Sequence, residues 1–148
     1  HLIGRIEKGP EPYYSHFKQN NLSLEGSDIK IMSKLSGRLL DSIDYIRVAE
    51  IRKNNFDLLH NKLHKTNMLK IDLGQDSIPM VYPYLIEQGD DLKRKLIKNK
   101  VFVPTYWPNV IDWCDEGQIE YLLAKDIVPL PVDQRYSKSD LLDILRLI

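Results

Sequence analysis

Between positions 33 and 65 apolar residues return at every third or fourth place. Leu35, Leu39, Ile43 and Ile46 step along one face, and Ile51, Phe56, Leu59 and Leu63 continue the stripe with some drift. No proline interrupts it, so the spacing predicts an amphipathic helix. At 1.5 Å per residue a continuous helix here would reach about 45–50 Å, a length that suits a bridge between domains. The alternative is a single break near Asn54-Asn55.

Beyond the helix the pattern shortens. Met68 to Leu73 alternates in part and stops at Gly74, and Ile78 to Ile86 is apolar and β-prone, with two prolines that suit an edge or a bulge. Gly89-Asp90 opens a helix running to about Asn99, with Asp90 as its N-cap. Lys93, Arg94, Lys95, Lys98 and Lys100 crowd that helix and its end, where cations meet the negative end of the helix dipole. Val101-Phe102-Val103 reads as a third strand, residues 111–125 as helix, and Ile127 to Val132 as a short extended piece. Ser137 then caps a last helix to Ile148, with Asp140 completing a variant of the capping box. The order is long helix, β, β, α, β, α, short β, α. It predicts an α+β fold, with the long helix followed by a small, mostly antiparallel sheet carrying helices on one face.

Residues 1–32 differ. Gly9-Pro10-Glu11-Pro12, Asn20-Asn21 and Glu25-Gly26-Ser27-Asp28 are turn signals, and the apolar residues among them are scattered. The segment is expected to be irregular and to continue from a large domain upstream, with residues 33–148 forming a small C-terminal domain. The opening His1-Leu2-Ile3-Gly4-Arg5 reads like the middle of a protein.

Composition narrows the classes. The 148 residues hold 21 Lys plus Arg against 21 Asp plus Glu, and this balance gives no electrostatic reason for nucleic acid or an anionic membrane as partner. No apolar run approaches the roughly 20 residues of a membrane span. No signal peptide is visible, and the single Cys114 excludes an internal disulfide, so a cytoplasmic location is expected. Cys114 sits among Asp112, Asp115 and Glu116, which oppose a thiolate, and it reads as structural. His60 and His64 have the spacing of a metal pair, but no third ligand accompanies them, and no metal site is expected. Arg47 and Arg52 beside Asp44 and Glu50 read as helix-surface ion pairs, with a phosphate or carboxylate clamp as the alternative. The aromatic pair in Tyr106-Trp107-Pro108-Asn109-Val110 forms either a binding edge or a lid over the domain's own core. Arg135 is placed either to grip a substrate carboxylate or to make a structural ion pair.

Taken in order, these segments resemble the DegT/DnrJ/EryC1/StrS family of fold-type-I aminotransferases, which depend on pyridoxal phosphate. The run Met32 to Asp44 looks like the family's Met-Ser…Gly…Leu-Asp stretch, and Arg52 to Phe56 with Leu59 and Leu63 is similar to the helix that follows it. Leu96 to Val101 with Tyr106-Trp107-Pro108 resembles the next segment. Val128 to Val132 with Ser137 to Leu141 resembles the ending. The resemblance covers roughly residues 28–148 and rests on order and spacing. It implies the small domain of an enzyme that moves an amino group onto nucleotide-linked keto-sugars in polysaccharide biosynthesis. The complete protein would hold pyridoxal phosphate and form a homodimer. The Schiff-base lysine would lie in the upstream large domain, leaving this chain without catalytic residues, cofactor or metal of its own. Tyr106, Trp107 and Arg135 would then line the substrate cleft. Val110 stands where the family has a histidine, and Asp28-Ile29-Lys30-Ile31 replaces its Asn-x-Arg, marking a divergent branch. A stand-alone interaction domain built on the Tyr106–Val110 edge and a non-catalytic relative of the same fold are the competing readings.

Overall fold

The computed structural model describes residues 2–9 and 11–148; His1 and Pro10, both used in the sequence reading, lie outside them. It is an α+β structure with eight α-helices and one two-stranded antiparallel sheet among the described residues. The chain divides into His1–Ile43 and Asp44–Ile148, a boundary eleven residues beyond the one expected at position 32 (43 − 32).

The first unit is more regular than its composition suggests. Helices α1 (Leu2–Lys8) and α2 (Tyr14–Leu22) flank a 3-10 turn at Glu11–Tyr13, where an irregular segment was expected. The breakers act only locally: Gly9 takes φ 82°, a left-handed turn that ends α1, while Tyr14–Leu22 contains neither Gly nor Pro. Residues 27–33 have no regular structure, as the turn signals implied. Ser33 then caps α3 (Lys34–Asp41), its hydroxyl accepting the Ser36 amide at 3.1 Å. No described residue of this unit is buried.

The expected long helix is two helices. α3 stops at Ser42, and α4 (Tyr45–Leu63) restarts after Asp44, whose Oδ1 accepts the Arg47 amide at 3.0 Å. An aspartate that satisfies a free amide of the next turn makes a new helix start cheaper than continuation. Asn54-Asn55, the alternative place for a break, lies inside α4.

The second unit holds the core. α4 buries Asn55, Phe56, Leu59 and Leu63 against β1 (Val81–Leu85) and α8 (Lys138–Leu145). β1 pairs with β2 (Ile127–Pro131) in the register Tyr82↔Leu130, Pro83↔Pro129, Tyr84↔Val128. Proline has no amide, so Pro83 and Pro129 can face each other only where the ladder makes no hydrogen bonds. Tyr82↔Leu130 and Tyr84↔Val128 are therefore the bonded pairs, and their four side chains are buried. Fully burying each aliphatic side chain of this set stabilises the unit by roughly 1.5–3 kcal/mol.

Residues 68–73 and 101–103 were expected as strands and are neither. The outward-facing amides of β2 explain the second case. Positions 129 and 131 are prolines, and the Ile127 amide is spent on Leu123 O, so no ladder is open to Val101–Val103. The start of the first segment meets β1 through the Asn67 side chain and one backbone bond. Asn67 Oδ1 accepts the Leu85 amide at 3.0 Å, Nδ2 donates to Pro83 O at 2.9 Å, and Met68 N donates to Leu85 O at 2.9 Å.

α5 (Gly89–Lys98) starts one residue before the expected cap, so Asp90 lies in its first turn and Gln88 precedes it. A Cβ on Gly89 would lie 1.8 Å from Asp126 O, so only glycine lets α5 approach the end of α7 (Ile119–Asp126). The stretch expected as one helix over 111–125 is α6 (Pro108–Trp113) followed by α7. The Ser137–Asp140 capping box is present in full.

Candidate functional site

A buried polar side chain of the second unit is Asn55, 7% exposed on the apolar face of α4. Its Nδ2 donates to Val132 O (3.2 Å), Asp133 O (3.3 Å) and Tyr136 O (3.1 Å). A single amide group thus gathers the carbonyls of the turn that follows β2. Burial of a polar amide is offset only when such partners are met.

That turn carries one wall of a cleft of about 390 Å³. Arg52 lines it from α4, Tyr106 from the loop before α6, and Asp133, Arg135 and Tyr136 from the turn itself. Pro129, Pro131 and Phe102 supply apolar surface. Arg135 Nε and Nη2 donate to Asp133 Oδ1 and Oδ2 at 2.7 and 3.0 Å, and its backbone amide donates to Oδ1 at 3.1 Å. This is a bidentate pair inside one turn. Burial alone would push the Asp133 carboxyl up, but the Arg135 hydrogen bonds and the positive charges of Arg135 and Arg52 outweigh it and hold it below its ordinary value. The same pair raises Arg135, and burial raises Tyr136. Arg52 Nη1 donates to Pro79 O at 3.1 Å, rather than to Glu50 as an ion pair on the helix surface would.

Two of the three expected cleft residues therefore share one surface: Tyr106 and Arg135 line the cleft, and Trp107 does not. Trp107 is 71% exposed, with its ring 5.7 Å from that of Tyr106, and it takes φ 49° immediately before Pro108. An exposed ring cannot be a lid over the core, so for Trp107 that alternative falls away. Asn55 and Asp133 were missed. The signal for Asn55 was available: it stands at helical spacing with Phe56, Leu59 and Leu63, where a polar residue needs a reason.

The remaining candidates have structural partners. His60 stacks on Phe56 at 5.9 Å, Tyr82 OH lies 3.4 Å from His60 Nδ1, and His64 Nδ1 lies 2.9 Å from His60 O. No group of three metal-ligating side chains occurs among the described residues. Lys93, from the lysine run, is 3% exposed. It donates to Lys125 O and, at 3.4 Å, to Thr105 Oγ1. Burial lowers its pKa against the attraction of Asp90 and Asp126. Cys114 is half-buried. No helix among the described residues is long and apolar enough to cross a membrane.

No lysine lines the cleft. The residues here therefore do not fit pyridoxal phosphate, which is held covalently by a lysine. No family model, curated protein or solved structure matches the chain.

Proposed function

We propose that the Asp44–Ile148 unit is a non-catalytic, ligand-facing domain of a larger aminotransferase-like protein, and that its cleft contacts the substrate. The observation that carries this reading is the meeting of Tyr106 and Arg135, far apart in sequence, on one cleft with Arg52. No lysine lines the cleft, and this reading gives it the role of orienting a ligand. The resemblance to the DegT/DnrJ/EryC1/StrS family supplies the rest of the proposal: a nucleotide-linked keto-sugar as substrate, pyridoxal phosphate held by a missing large domain, and a homodimer of the complete protein in the cytoplasm.

Arg135→Ala in the complete protein tests the role of the cleft. KM for an anionic substrate should rise with kcat little changed, because uniform binding is lost. An unchanged KM removes Arg135 from substrate binding. Borohydride reduction of the complete protein tests the cofactor separately: a stable pyridoxyl-lysine adduct supports the enzyme, and its absence leaves a non-catalytic relative of the fold.

The exposed Trp107 favours a second reading, an interaction domain that uses the Tyr106–Val110 edge. Trp107→Ala should then weaken partner capture and leave substrate KM untouched.

A further inference from the structure

Arg135 is the obvious anion clamp of the cleft, yet its charge is already paired. Nε and Nη2 both serve Asp133, so an incoming carboxylate would meet a guanidinium that a carboxylate beside it has already neutralised. Arg52 is in the opposite situation. Pro79 O takes one of its five N–H groups and fixes the guanidinium half-buried at the cleft wall. No other hydrogen bond joins Arg52 to a described residue, so the rest of its fork has no acceptor among the described residues. Asp133 lines the same cleft as both arginines, and both charges act on its carboxyl. Released from Arg135, it is a carboxylate of the cleft that could turn onto Arg52.

Building on the proposal that this cleft faces a ligand, we propose that Arg52 is its anion anchor, and that Arg135 acts indirectly by keeping the Asp133 carboxylate off Arg52. Two guanidinium groups and one carboxylate leave the cleft with a single net positive charge. Phe102, Tyr106 and Tyr136 add flat apolar surface beside it, and the volume of about 390 Å³ limits the occupant to a small molecule. The part of a ligand held here is a single anionic group beside a flat ring, for which benzoate is the probe.

The full chain titrated with benzoate, followed by amide chemical shifts, tests this. Shifts should cluster at Arg52, Tyr106 and residues 133–136, and benzyl alcohol should leave them in place. Arg52→Gln should weaken benzoate about tenfold or more, the loss expected for one charged hydrogen-bonded contact. Arg52→Lys keeps the charge and can still reach Pro79 O, but it loses the fork and should bind several-fold more weakly. It carries the test if the glutamine variant does not fold. Arg135→Gln should also weaken binding, and adding Asp133→Asn to it should restore affinity close to the original, because the competing carboxylate is gone. If Arg52→Lys binds like the original chain, or if the double variant stays as weak as Arg135→Gln alone, Arg52 is not the anchor and Arg135 grips the ligand directly; the cleft remains a ligand site. If benzoate moves no residue of the cleft, the anchor and the ligand-facing reading fall together.

Discussion

A side-chain amide in the middle of a helix's apolar face lowers stability unless its polar atoms are met. Asn55 meets this condition through three carbonyls of one turn, and so determines where Asp133 and Tyr136 stand. Asn55→Leu should cost about 2–4 kcal/mol in urea unfolding of the full chain, because it strands buried carbonyls as well as removing bonds. It should also broaden the amide signals of residues 132–136. Asp133 makes a second statement testable by pH. Its carboxyl is held below its ordinary value of 3.8, so its contribution is complete above that pH and is lost as pH falls through the lower folded value. Asp140, lowered by the Ser137 hydroxyl and amide, titrates in the same direction. Acid titration of stability should therefore be steep below about pH 4, and Asp133→Asn should flatten it. A structural ion pair was one of the two readings open to Arg135, and its partner Asp133, only two residues away, went unnamed. Asn55 was read as a candidate break because propensity was weighed without asking what lay opposite, and its partners are 77 or more residues away.

Three helix starts in this chain, those of α3, α4 and α8, are set by side chains that satisfy free amides. Ser33, Asp44 and Ser137 each accept an amide three residues on, and each opens a helix. The Ser137–Asp140 box was legible because its spacing is local. Asp44 was overlooked because the apolar stripe runs through it without interruption. Both strands that formed were legible from their β-prone runs. The one expected at 101–103 did not form for want of an open ladder, which depends on the prolines of β2 rather than on the segment itself. Asn67 does part of the work a third strand would do. Asn67→Ala removes the side-chain bonds to Pro83 O and from Leu85 N, together with those to Tyr82 OH and from Leu69 N. It should lower stability by about 1–3 kcal/mol. Hydrogen exchange should show the Leu85 amide losing protection while Tyr82 and Tyr84, paired within the ladder, keep theirs.

The two units differ in what they bury. His1–Ile43 has no buried described residue and exposes Ile29 and Ile31 almost entirely, whereas Asp44–Ile148 contains every member of the core. A chain starting at Asp44 should therefore unfold in one cooperative transition, within a few degrees of the full chain, in thermal circular dichroism. Loss of that transition would place part of the stability in the first unit. The sheet also governs how copies of this molecule meet. Growth of ordered aggregates requires a row of outward amides and carbonyls for the next copy to read. β2 lacks such amides at Pro129 and Pro131 and has committed that of Ile127, while β1 lacks one at Pro83 and has committed that of Leu85. Fibre seeding at this sheet is opposed by its prolines, which offer no amide to a new strand, and by Leu123 O and Asn67 Oδ1, which already hold the amides of Ile127 and Leu85.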